Sequence, residues 1–214
     1  MTSPSQRLSP NRSVHSVTKN SELIRDRREQ IIQAAIRVFA EKGFHEATVR
    51  DIGREAQLTQ GTLYNYVRTK EDILFLVCDR IVTEYLDRIR EALLLEGDPK
   101  GRLEAAIKGI LRVMWARPDS ILLLYHESHN LESNSLRVIL GRVDGFIVCF
   151  EKLLNEAKIL KETDESRIRL LANIITFLPT MVALRKWALP GALSEEEMTG
   201  EIAAFMLRGL EIEK

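Results

Sequence analysis

The stretch Thr48–Lys70, TVRDIGREAQLTQGTLYNYVRTK, constrains this chain more than any other. Three threonines in it are placed to cap helices. Thr48 has Asp51 three residues on, a capping-box pair, and Thr69 has Asp72 in the same relation. Thr59 can cap the helix between them. Val49, Ile52 and Ala56 recur at helical spacing. Gln57-Leu58-Thr59 then breaks the pattern as a turn. Leu63 and Val67, four apart, point inward together from a second helix. At roughly 100° per residue, Gly61, Thr62 and Asn65 point most nearly away from that pair, with Tyr64 and Tyr66 flanking them. The reading is two short helices joined by a tight turn, then the start of a long third.

The outward strip is the informative part. A merely solvated helix face more often carries Glu and Lys. Hydroxyl and amide groups can instead match the donors and acceptors of base edges in a major groove. Thr62 and Asn65 are the expected base-edge contacts, with Gln60 within reach. Thr48, Arg50, Tyr64, Tyr66 and Lys70 are expected at phosphates, Lys70 because it stands in the first turn of a long helix. Gly61 lets backbone approach a duplex closely. The competing reading is an ordinary helical hairpin.

These residues carry a resemblance. Thr48-Val49-Arg50-Asp51-Ile52, Ala56, Gln60-Gly61-Thr62-Leu63-Tyr64-Asn65-Tyr66 and Lys70-Glu71-Asp72-Ile73-Leu74 resemble the DNA-binding signature of the TetR family of transcriptional regulators. Arg27–Phe44 resembles that family's first helix and its Gly-aromatic ending. There are two departures. The turn reads Ala56-Gln57-Leu58-Thr59 where the family usually has Ala-Gly-Val-Ser, and Val67 stands where many members have Phe. The resemblance implies a ligand cavity in the central helices of the remaining chain and dimerisation through its last two helices.

Composition agrees with an all-α fold. The 214 residues are 45% hydrophobic, enough for a sizeable core, with only 11 Gly and 6 Pro. Formal net charge is zero, but residues 1–70 carry +5 and the remainder −5. A basic front on an acidic body suits a protein that presents one end to phosphate. Cys78 and Cys149 each lie in an apolar run, as free thiols in a reducing compartment do. There is no run of 18 continuous apolar residues and no apolar signal segment near Met1, so a cytoplasmic protein without a membrane partner is expected.

Taken in order, residues 1–20 read as a disordered tail with Arg7, Arg12 and Lys19, able at most to serve as a minor-groove arm. Residues 21–70 form the helix-turn-helix DNA-binding domain. Its first helix starts from a cap at Asn20 or Ser21, runs to about Lys42, and stops at Gly43 in a left-handed conformation. Residues 71–214 form an effector-binding and dimerisation domain. Its expected helices are Lys70–Leu95, Lys100–Ala116, Asp119–Asn130, Ser133–Leu160, Asp164–Leu189 with a kink at Pro179, and Ser194–Glu211 capped by Ser194 and Glu197.

The body has no catalytic signature, so no enzyme is expected. His126 and His129 with Glu127 are three apart where a zinc hydrolase helix needs four, so no metal or cofactor is expected either. Met114, Trp115, Tyr125, Phe146, Phe150, Phe177 and Met181 are candidate walls of a ligand cavity, against the plainer reading that they are core. His126, His129 or Asn130 could give the ligand a polar contact. The expected protein is a ligand-responsive regulator, acting as a repressor. It would bind a palindromic operator as a homodimer and be released by a small apolar or amphipathic effector. The rival is a helical small-molecule or protein-interaction module that ignores DNA.

Overall fold

The computed structural model describes Val14 and residues 21–94, 96–159 and 164–210. Among these every regular element is a helix: α1 Ser21–Glu46, α2 Val49–Glu55, α3 Gln60–Tyr64, α4 Lys70–Leu93 and α5 Pro99–Ala116, then α6 Pro118–Glu127, α7 Ser133–Glu156, α8 Glu165–Phe177, α9 Met181–Leu184 and α10 Glu195–Leu210. The chain forms two compact units. One draws on residues up to Val82 and on Leu123–Arg142, the other on Thr83–Leu122 and Val143 onward. The expected domain boundary at residue 70 thus falls within the first unit. The expected tail and arm, residues 1–20, lie outside the described residues except for Val14. That residue is buried, and its carbonyl accepts a hydrogen bond from Arg28.

In the first unit α1 turns Ile31, Ala34, Ala35, Val38 and Phe39 inward, all at most 5% exposed. The two alanines leave room for α2, which packs against α1 and buries Ile52 and Gly53. Leu63 and Val67 are fully buried, as are Ile73, Leu74, Val77 and Cys78 of α4. Each large aliphatic of this kind contributes roughly 1.5–3 kcal/mol on leaving water. Gly43, at φ 72°, bends the chain where α1 ends. Phe44 folds back there and meets Phe39 at 5.6 Å between ring centroids.

The second unit is centred on α5. Leu103, Ile107, Ile110, Leu111 and Met114 are at most 1% exposed. α5 packs against α10, α9 and the turn Leu178–Thr180. Phe146 and Phe150 of α7 meet edge to face at 5.8 Å between ring centroids, and Tyr85 of α4 approaches Phe146 at 6.5 Å.

Helix ends follow local chemistry. Asp98 caps α5 with Pro99 in its first turn, and Ser194 with Glu197 closes a reciprocal box at α10. The expected helix Asp164–Leu189 is corrected to a series of shorter pieces. Pro179 brings no N–H, and the chain passes into 3₁₀ geometry over Leu178–Thr180 and again over Lys186–Ala188. The segment Glu165–Leu184 is apolar and long enough to cross a membrane by composition alone, with mean hydropathy 1.4.

Candidate nucleic-acid interface

The helix-turn-helix is fixed by caps and three side-chain ties. Thr48 and Asp51 exchange hydrogen bonds reciprocally, the backbone N–H of each donating to the other's side chain at 3.1 Å. Lys42 of α1 pairs with Asp51 at 3.1 Å. The bond from the Thr48 hydroxyl, then Lys42, holds the Asp51 carboxyl at about 2, below the usual range. Thr59 accepts from the N–H of Thr62 and caps α3. Gln30 of α1 donates to the carbonyl of Ala56 at 2.6 Å, and Arg37 bonds Glu55 at 2.5 Å.

The turn between α2 and α3 is a six-residue helix stop. Gln57 donates to Arg54 and Leu58 to Gly53 through their backbones, the paired bonds of a Schellman motif. This puts Gln57 at φ 54°, a conformation that glycine adopts without strain and glutamine does not. The departure from the family's usual glycine at Gln57 is therefore a change of backbone strain and not only of side-chain size.

The predicted contact residues separate into two groups. Thr48, Arg50, Gln60, Gly61 and Asn65 are exposed, Tyr64 is 44% exposed and Thr62 half-buried. Nothing lies within 4 Å of the position a Cβ would take on Gly61, so backbone there is open to a close approach. The Thr62 hydroxyl is shared with that of Thr59 at 2.8 Å. Tyr66 and Lys70 differ from expectation. Tyr66 is only 4% exposed and belongs to the core. The reason is that α3 stops at Tyr64 with Asn65 as its C-cap, so a helical projection carried past Asn65 misplaces the next side chain. Lys70 directs its ammonium at backbone carbonyls of Phe44, His45 and Ala47. Arg68, an exposed cation just past α3, was passed over in the sequence. Its place between Val67 and the cap at Thr69 was the available signal.

The ten candidate ligand residues also divide. Tyr125, His126, His129 and Asn130 belong to the first unit, the others to the second. Tyr125, His126 and His129 are exposed, and Asn130 donates to Glu127 at 2.9 Å. Met114, Trp115, Phe146 and Phe150 are buried. The Tyr85 hydroxyl reaches the Met114 sulfur at 3.7 Å, while the buried Nε1 of Trp115 has no hydrogen-bond partner among the described residues. Met181 is half-buried. Phe177 is 59% exposed and so stands on a surface rather than a cavity wall in this chain. An open groove of about 510 Å³ runs between α4 and α5, lined by Glu84, Arg88, Glu91, Gly109 and Arg112 among others. None of the ten candidates lines it. Among the described residues no three His, Cys, Asp or Glu side chains are grouped to hold a metal ion.

Residues 31–77 match the bacterial regulatory proteins of the tetR family, and residues 96–210 match the tetracyclin repressor-like C-terminal domain. The chain belongs to the TetR family. Its second half is therefore as much a family feature as the helix-turn-helix, which sequence motifs alone had left open. The transcriptional regulator HbdR of Aromatoleum sp. strain CIB is 33% identical over 127 residues, 59% of this chain and 56% of HbdR. The chain thus spans about half the length of that relative. A tetR-family regulator from Rhodococcus RHA1 superposes with a TM-score of 0.75 at 20% identity, over 88% of this chain and 98% of that one. AibR, solved with isovaleryl coenzyme A and operator DNA, superposes with a TM-score of 0.69 at 19% identity, over 84% and 97%.

Proposed function

We propose that this TetR-family protein is a ligand-responsive transcriptional repressor that binds a palindromic operator as a homodimer and leaves it when a small amphipathic effector binds. The observation that carries the proposal is the exposed face of α3. Gln60, Gly61, Tyr64 and Asn65 face solvent on a helix held by Thr59, and none of them is charged. Such a face suits base edges better than bulk water. Thr48, Arg50 and Arg68 are the groups offered to phosphates, all exposed. The protein acts where its operator is, in the cytoplasm.

Dimerisation is supported by α8 and α10. Leu170, Ile174 and Phe177 recur at positions i, i+4 and i+7 and are 59, 49 and 59% exposed, while Phe205 of α10 is 65% exposed. A helix stripe this apolar is an interaction surface rather than a solvated one. Two copies joined there place two α3 helices on one duplex, whole helical turns apart.

For the effector, buried Met114, Trp115, Phe146 and Phe150 supply apolar surroundings. The indole N–H of Trp115, unpartnered among the described residues, is a donor whose burial costs about 1–3 kcal/mol until an acceptor reaches it. An acyl thioester has an apolar chain and a carbonyl acceptor, and the complex of AibR with isovaleryl coenzyme A supports that class.

The test is selection of duplexes from a random pool by the purified chain. An inverted repeat bound by two copies is the expected product. Recovery of no sequence, with no retention of any duplex in dilute buffer, would leave the protein an interaction module without DNA.

A further inference from the structure

The ammonium of Lys70 donates to three backbone carbonyls: Phe44 at 2.6 Å, Ala47 at 2.9 Å and His45 at 3.0 Å. It also lies 4.5 Å from the centroid of the Phe44 ring. A lysine ammonium has three hydrogens, so these bonds use its full donor capacity. Phe44 and His45 lie in the end of α1 beyond Gly43 and Ala47 just after it, where helix carbonyls run out of intrahelical partners and the helix dipole is negative. A lysine that swung out to a phosphate would give up all three bonds.

We infer that Lys70 is a positioning residue that ties the first turn of α4 to the corner between α1 and α2, and that it is not a phosphate ligand. The tie spans 23 to 26 residues of sequence. Two further bonds fix the near side of the same joint: the backbone N–H groups of Arg68 and Thr69 both donate to Asp72. With both sides held, α4 cannot shift at its start and leave the corner behind. The corner carries Thr48, the cap of α2, so movement of α4 passes to α2 and α3 instead of being absorbed in the link at residues 65–69. This inference rests on the proposed repressor reading for its consequence, since α4 starts at this joint and its chain continues past Val82 into the second unit, which holds the buried candidate effector residues.

Lys70→Met and Lys70→Arg test it by two measurements. One is amide hydrogen exchange of the free full-length protein. The other is affinity for the selected inverted-repeat duplex across a salt series. For Lys70→Met the tie predicts roughly tenfold or faster exchange at residues 44–48, because charge-assisted bonds to those carbonyls are lost. It also predicts weaker duplex binding with an unchanged dependence on salt. Lys70→Arg should behave in the same way, because a guanidinium cannot place one nitrogen among three carbonyls. A phosphate contact predicts the reverse. The salt slope would fall by about 0.9 for Lys70→Met, corner exchange would be unaltered, and Lys70→Arg would bind like wild type. That pattern would overturn the inference. If no duplex is selected, the repressor reading fails, and the exchange measurement still decides the tie. If Lys70→Met does not fold, Lys70→Arg serves for both measurements.

Discussion

The exposed faces of α3 and α8 are opposites. α3 is five residues long and, with its C-cap Asn65, shows Gln, Gly, Tyr and Asn to water. α8 is thirteen residues long and shows Leu170, Ile174 and Phe177. Neither is what a helix needs merely to stay dissolved, which Glu and Lys would do better. The polar face trades water hydrogen bonds for others of fixed geometry, which gives selectivity at little net energy. The apolar face gains energy from burial and little selectivity. On the proposed function, recognising a duplex and holding a partner are divided between the two units in this way.

That contrast can be broken most forcefully at α8. Phe177→Asp places a charge in the proposed dimer surface and should cost about 2 kcal/mol or more in self-association. Sedimentation should show a monomer with the far-UV spectrum intact, and duplex affinity should collapse with it. A dimer as tight as wild type would move the interface elsewhere. Asn65→Ala addresses the polar face and should cost about 1–3 kcal/mol on the selected site and little on unrelated duplexes. An equal loss on all sequences would make Asn65 a backbone contact.

Smaller effects probe how the faces are held. Gln57→Gly relieves a left-handed glutamine and should raise stability by about 0.5–1 kcal/mol, seen as a higher Tm. Lys158, at φ 50° with the same paired backbone bonds ending α7, is the matching site in the second unit. The smallest effect is that of pH. Asp51 is held at about 2 against roughly 3.9 in an unfolded chain. Its depressed value means that its stabilisation is complete above about pH 4 and is lost as pH falls toward 2. Asp51→Asn should flatten the acid limb of the first unit's melting curve. The Cys78 thiol, pushed up to about 12 by burial with Asp79 and Glu127 adding to it, should resist thiol reagents in the native protein at pH 8.

Much of this fold is local and was legible for that reason. The caps at Thr48, Thr59, Thr69 and Ser194 each involve a residue three positions away, so sequence spacing displays them. Lys70 was not legible. Its partners lie more than twenty residues back, and a lysine in a first turn looks the same whether it faces phosphate or carbonyl. Tyr66 was misread because helical periodicity was carried beyond the point where α3 ends. Phe177 shows a different limit: periodicity marks an apolar stripe but does not say whether it meets its own core or another chain. The effector region was least legible, since Trp115 becomes informative only when its N–H is found buried and unpartnered.

On the proposed function a symmetric pair of α3 helices enters the major groove. Methylation interference at guanine N7 on the selected duplex is the sharpest probe of that entry, because N7 is exposed only in that groove. Two interfering patches are expected, related by a twofold axis and separated by whole helical turns, with the Asn65→Ala variant losing positions in both. Binding that N7 methylation leaves untouched, or a single patch, would contradict it.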